Sequence, residues 1–252
     1  MNYKPHTTIY KNKEVAADRA AQWFALKITG IIEQRGKAVI VVPTGSSPKR
    51  FYEVLAADYR DTLQWDSVYA FSLDELVGLP DSHPALFRTY MDTILFSKVN
   101  LPGKNIVFLN STAEDIEKES IDFEKKLRTT GGIDICILGV GSDGHIGMNF
   151  PYSPFTSTTR KVLLPAHSRP KEELFNIGEN IPSHGITIGI ATILSSRNIL
   201  LLADGESKKQ AIENLVAGEQ TEKWPVTALQ AHPGVQVFVS DDAVSEKVAS
   251  PC

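Results

Sequence analysis

The chain has 252 residues, of which 42% are hydrophobic, enough to bury a full core, and residues 1–252 are expected to form one domain rather than two small ones. A net charge of −4, with Lys and Arg scattered singly among Asp and Glu, leaves no basic face suited to a nucleic-acid backbone or an anionic membrane, so neither is an expected partner. Two cysteines, Cys136 inside an apolar run and Cys252 at the end, make neither a disulfide framework nor a metal-ligand spacing. The N-terminal MNYKPHTTIYKNKEVAADRA lacks the apolar core of a signal peptide, and no stretch approaches the roughly 18 apolar residues of a membrane span; a soluble cytoplasmic protein is expected.

Residues 13–34 place Val15, Ala16, Ala20, Trp23, Phe24, Leu26, Ile28 and Ile31 mostly at helical spacing, and after Gly36 the apolar run Ala38 to Val42 reads as a buried strand. The same alternation predicts helix 48–58, strand 67–72, helix 84–98, strand 105–109, helix 113–128 and strand 133–139. A less regular stretch rich in Ser, Thr and Pro extends to about residue 183. Beyond it Ile186 to Ile193 is apolar, Asn198 to Ala203 reads as a strand, Ser207 to Ala217 as a helix and Val235 to Val239 as a last strand. Short apolar strands alternating with helices predict a doubly wound α/β fold, its mostly parallel sheet carrying helices on both faces. Ligands bind such sheets beyond the carboxyl ends of the strands.

Three strand ends carry residues suited to chemistry. AVIVV runs into Pro43-Thr44-Gly45-Ser46-Ser47-Pro48 and then a helix, so backbone amides, hydroxyls and a helix N-terminus converge where an anion is favoured. Gly45 permits close backbone approach, Ser46 or Ser47 suits a cap and Pro48 the first helical position; an ordinary capped turn fits these residues equally. The Gly-Lys-Ser/Thr ending of a Walker motif is absent. After strand 67–72 come Asp74 and Glu75. A carboxylate there, partly desolvated, has a raised pKa and can act as a general base, although capping or an ion pair is the commoner use.

The third strand, 133–139, ends in the glycine-rich loop Gly139-Val140-Gly141-Ser142-Asp143-Gly144-His145. Histidine titrates near neutrality, and an adjacent carboxylate fixes its tautomer and raises its basicity. Metal binding is the competing use of Asp143 and His145, but no second ligand group accompanies them: His83, His167, His184 and His232 look isolated. No Gly-x-Ser-x-Gly elbow is present. Lys208, in Gly205-Glu206-Ser207-Lys208 beyond the strand Ile199 to Ala203, is placed to neutralise a phosphate, a solvated lysine being the commoner case.

Taken in order, PTGSSP, LDELVGLPDSHP, LFRTYMDTILF, GVGSDGHIGMN, GITIGIATIL, DGESK and VTALQAHP resemble the glucosamine-6-phosphate deaminase/isomerase family, with its galactosamine-6-phosphate isomerase and 6-phosphogluconolactonase relatives. The resemblance covers nearly the whole chain. It implies a doubly wound α/β fold and a metal-free, cofactor-free reaction on an amino sugar 6-phosphate, which releases ammonia and leaves the ketose phosphate. Asp74 is then the base that moves the C2 proton, His145 assists ring opening, and Asp143 orients His145. Thr44, Gly45, Ser46, Ser47 and Lys208 hold the phosphate, and a homo-oligomer is plausible. Two departures stand out. The deaminases carry Asn-Glu-Pro where this chain has Asn149-Phe150-Pro151, and Phe150 neither accepts nor relays a proton, so a phosphosugar-binding protein that kept the pocket and lost catalysis is one alternative; a Phe-Pro pair at this distance also resembles the lactonases, in which a histidine activates water. Against that, the lactonases' Ser-Asp-Glu-Arg is absent around Ser72 to Leu76, and Asn149 and His83-Pro84 resemble the deaminases. The second departure is Leu174, at the place of the deaminases' phosphate-binding arginine, with Arg160, Arg169 and Lys171 as substitutes.

Overall fold

The computed structural model describes residues 5–170, 173, 175, 176 and 180–245. Its main sheet comprises seven strands: β1 (His6–Tyr10), β2 (Ala38–Val42), β3 (Val68–Ser72), β5 (Ile106–Val107), β6 (Ile135–Gly139), β9 (Asn198–Ala203) and β10 (Val235–Ser240). All are parallel, in the order β1-β10-β9-β6-β2-β3-β5. The helices α1 (Lys13–Arg35), α2 (Ser46–Asp58), α3 (Phe87–Ile94), α4 (Ile116–Thr130), α5 (Ile190–Leu194) and α6 (Lys209–Ala217) connect them.

Alternation along β2 explains the layering. Ala38, Ile40 and Val42 enter one core with Phe24 and Ile28 of α1 and Phe51 and Leu55 of α2. Val39 and Val41 enter a second core with Phe123 and Leu127 of α4 and Ile212 and Leu215 of α6. A strand covered on both faces has to be apolar at every position, which is why it reads AVIVV. Each fully buried Phe of these cores contributes roughly 2 kcal/mol through removal from water. Asn12 caps α1 by accepting from the Val15 amide, and Gly36, at φ 73°, ends the helix with its N–H on Ile32 O.

From β2 the chain winds one way through β3 to β5, then returns to β6 on the other side of β2 and proceeds outward to β9 and β10. The winding reverses between β2 and β6, and a crevice opens there beyond the strand ends. A second, antiparallel sheet stands over it: β4 (Asp74–Leu76), β8 (His184–Thr187) and β7 (Arg160–Leu163), in the order β4-β8-β7. A third apolar cluster, which includes Leu76, Leu79, Leu86, Met148 and Leu164, joins this sheet to the crevice.

The doubly wound, mostly parallel sheet is thus present, and several boundaries differ from the sequence expectation. The helix expected over 84–98 is shorter, α3 giving way to a 3-10 turn at Phe96–Lys98. Strand 105–109 reduces to Ile106–Val107, an edge strand paired with β3. The apolar run Ile186 to Ile193 splits into the end of β8 and α5. The irregular stretch before residue 183 contains β7, whose half-exposed residues give no apolar run. Among the described residues no helix is long and apolar enough to cross a membrane.

Candidate active site

A cavity of about 350 Å³ fills the crevice, and its wall includes Thr44, Gly45, Ser46, Ser47, Asp74, His145 and Lys208. Of the residues that the resemblance assigns to the site, Asp143 alone does not line the cavity; it contacts His145.

The β2 loop is held from below by Tyr52 of α2, whose hydroxyl donates to Pro43 O at 2.8 Å. Gly45 occupies the cap position of α2 with φ 120°, and no side chain caps the helix. Neither Ser46 nor Ser47 therefore serves as the cap, and Pro48 lies in the third helical position instead of the first. Ser46 and Ser47 are themselves the first two helical residues, with their amides at the positive end of α2 and no intrahelical acceptor for them. A side chain at Gly45 would be strained by that φ.

Asp74 opens β4, paired opposite Thr187 of β8, and is 7% exposed. Burial, reinforced by the charge of Glu75, pushes its carboxyl up to about 8. The adjacent Glu75 has a different use. Its carboxylate accepts from the amides of Leu76, Phe87 and Arg88, each at 2.9 Å, which caps α3 and holds Phe87 against the cavity. The capping alternative thus belongs to Glu75, and Asp74 is left facing the cavity.

The β6 loop folds back on itself: Gly141 N–H donates to His145 O, and Gly144 N–H to Gly141 O. That closure brings Asp143 Oδ1 to 2.6 Å from His145 Nδ1, while the His145 amide donates to the same oxygen at 3.2 Å. Burial opposes ionisation of Asp143, but the hydrogen bond and charge of His145 outweigh it and hold the carboxyl at about 2. An ionised Asp143 requires the proton on Nδ1, leaving the Nε2 lone pair of His145 as the available base. Gly141 is required because a Cβ there would stand 2.1 Å from His145 Nδ1. Phe150 packs edge-on against the His145 ring, centroids 5.2 Å apart. Asn149 is fully buried, locks the loop by donating to Ile146 O and Ile188 O, and accepts from Arg160 Nη1 at 2.8 Å.

Lys208 ends the turn Glu206–Lys208 beyond β9. Burial lowers its pKa, with Asp204 and Asp143 pulling the other way. Of the residues proposed to replace the arginine expected at Leu174, Arg160 is committed to Asn149 and Ser153, and Arg169 turns its Nε to Leu164 O; neither lines the cavity. Leu174 and Lys171 lie outside the described residues. Three wall residues lie outside every stretch that the sequence marked: Leu164, His167 and Ser168. The ring of His167 reaches within 3.6 Å of Asp143. It lies far from Asp143 in sequence, and nothing in the residues around it marks it.

A family model described as glucosamine-6-phosphate isomerases/6-phosphogluconolactonase matches residues 11–238. Glucosamine-6-phosphate deaminase 1 of Giardia intestinalis is 39% identical over 222 residues, covering 87% of this chain and 84% of that relative. The glucosamine-6-phosphate deaminase of Beutenbergia cavernae is 39% identical over 233 residues, covering 91% and 89%. Among solved structures, a monomeric glucosamine-6-phosphate deaminase superposes with a TM-score of 0.87 at 31% identity, covering 94% of this chain and 98% of that one. The 6-phosphogluconolactonase of Thermotoga maritima superposes at 0.78 with 18% identity, covering 94% and 99%, a likeness of fold.

Proposed function

The chain belongs to the glucosamine-6-phosphate isomerase/6-phosphogluconolactonase family, and on that premise we propose that it deaminates and isomerises a hexosamine 6-phosphate to the ketose 6-phosphate and ammonia. Glucosamine 6-phosphate and galactosamine 6-phosphate are the substrates to be distinguished. With only two cysteines, Cys136 among them buried and free, the protein suits the reducing cytoplasm. The resemblance makes a homo-oligomer the assembly to test by light scattering.

The phosphate sits on the amides of Ser46 and Ser47, with Thr44, the α2 N-terminus and Lys208 completing its cradle. His145 Nε2, oriented through Asp143, takes the proton of the anomeric hydroxyl, O5 gains a proton as the C1–O5 bond breaks, and the ring opens to an aldehyde. Asp74 takes the proton from C2 and returns it to C1, so that the double bond migrates and an imine forms at C2. Water adds to that imine, nitrogen leaves as ammonia and the C2 ketone remains.

The observation that carries this reading is Asp74: a buried carboxylate with a pKa pushed up to about 8, in the same cavity as His145 and the α2 N-terminus. Basicity of that order is what abstraction of a carbon-bound proton requires. One feature favours lactone hydrolysis as a second reading, namely Phe150 packed edge-on against His145. Purified protein given glucosamine 6-phosphate, galactosamine 6-phosphate and 6-phosphogluconolactone in parallel separates the two. Ammonia from either amino sugar is the expected result, and hydrolysis of the lactone alone would transfer the protein to the second reading.

A further inference from the structure

Ring opening requires two proton movements at once, one off the C1 hydroxyl and one onto O5, and Phe150 leaves the inner side of His145 without a proton carrier. On the outer side the structure supplies one. After Leu163 the chain buries Leu164, whose N–H donates to Ser183 O, and then turns tightly through Ala166–Ser168, with Ser168 N–H on Pro165 O at 2.9 Å. The turn sets His167 on the cavity wall, beside Ser168. His167 Nε2 lies 3.6 Å from Asp143 Oδ2, while His145 Nδ1 lies 2.6 Å from Oδ1. One carboxylate thus presents its two oxygens to two imidazoles.

We propose that His167 is a second catalytic acid–base group, sharing Asp143 with His145 across the mouth of the cavity. The proposal rests on the deaminase reading. His145 Nε2 takes the proton of the anomeric hydroxyl as the C1–O5 bond breaks; the bonding pair goes to O5, and His167 as imidazolium protonates that oxygen. One imidazolium exists before the step and one after it, so Asp143 neutralises a single positive charge throughout, and solvent returns the proton to the exposed His167. At 3.6 Å the contact with Asp143 is electrostatic, which leaves the ring free to turn toward substrate. Among the described residues, the charged and titratable groups placed with the pair are Asp143 and His145 on the β6 loop, Lys208 beyond β9 with Asp204 acting on it, and Asp74 on the cavity wall.

His167→Gln tests the idea by steady-state kinetics, after ammonia release by the wild type has been established. The His167 side chain is 67% exposed, so the variant should melt with the wild type. The expected result is a kcat lowered on the order of 100-fold with KM within about threefold, and loss of the alkaline limb that deprotonation of His167 imposes on the wild-type profile. An unchanged kcat and pH profile overturns the proposal and leaves the deaminase reading intact; so does a raised KM at unchanged kcat, which makes His167 a phosphate contact. A second measurement is independent of turnover: NMR titration of both rings in the wild type and in Asp143→Asn. Shared charge predicts that the His145 and His167 midpoints both fall when the carboxylate is removed, and an unmoved His167 midpoint overturns the proposal even where no amino sugar is turned over.

Discussion

Replacing Asp74 by Asn separates the two consequences of burying that carboxyl. An ordinary aspartate titrates near 3.8 and Asp74 at about 8, so the folded protein resists a charge that the unfolded chain accepts freely. Because the folded value is the higher one, the associated stability is fully present below about pH 4 and is lost as pH rises toward 8. At about 1.4 kcal/mol per pH interval, the cost at pH 7 is about 4 kcal/mol. An unfolding entropy of about 2.1 cal/mol/K per residue over the 252-residue chain turns that into about 8 °C. Asp74→Asn carries a neutral group of nearly the same shape at every pH, so it should melt about 8 °C above the wild type at pH 7 and only about 3 °C above it at pH 5. The same variant should lose exchange of the substrate C2 proton with solvent deuterium while still binding inorganic phosphate. Thermal melts at the two pH values and a deuterium-exchange assay by NMR decide it. A melting difference that does not widen with pH refutes the raised pKa, and undiminished exchange refutes the assignment of Asp74 as the carbon base.

Lys208→Ala removes a half-buried cation from the cavity wall; a charge-assisted contact of about 1.5–3 kcal/mol predicts a KM raised on the order of 10- to 100-fold with kcat changed little, and inhibition by inorganic phosphate should weaken in parallel. Gly141→Ala places a methyl 2.1 Å from His145 Nδ1 and 2.7 Å from Asp143 Oδ1. That pair has to separate, and kcat should fall on the order of 100-fold, with the NMR midpoint of His145 shifted downward. Phe150→Glu puts a carboxylate where the ring now contacts His145. Ammonia release should rise about tenfold or more if ring opening is limiting, at a stability loss of about 2 kcal/mol from lost packing on the apolar cluster that includes Met148 and Leu164, whereas a fall in the rate would mean that Phe150 shapes the pocket for a different sugar.

The parallel sheet was legible because strands covered on both faces have to be apolar throughout, and β2 and β6 announce themselves by composition alone. The antiparallel sheet was not, since β7 is half exposed and β4 has three residues, two of them acidic. Loop residues next to a buried strand in sequence were also readable: the turn Thr44 to Ser47, Asp74, and the Asp143 and His145 pair all stand at strand ends, where topology alone sends them to one crevice. His167 was invisible for the opposite reason. It reaches Asp143 only because Leu164 is buried and the following turn doubles back, a consequence of tertiary packing that no local pattern records. Glu75 shows the limit from the other side. Sequence places it beside Asp74 as an equal, and only the position of α3 turns one carboxylate into a helix cap and leaves the other facing the cavity.

A buried acid with a pKa about 8 would be mostly protonated at neutral pH and a poor base, unless the substrate itself draws off the proton. A hexosamine phosphate does so, because its C2 nitrogen is an ammonium next to the proton that Asp74 removes. Opposite charges about 4 Å apart at an effective dielectric near 20 gain about 4 kcal/mol, or about three pH intervals. The acid limb of kcat/KM, which reports the free enzyme, should therefore lie near pH 8, and that of kcat, which reports the complex, near pH 5. A lactone carries no cation at C2 and offers no such assistance, and its hydrolysis through His145 needs no carbon base. Limbs that coincide for the amino sugar would refute substrate-assisted ionisation, and a wide separation would explain how the fold tolerates Asp74 in a site that lactone chemistry would leave without use for it.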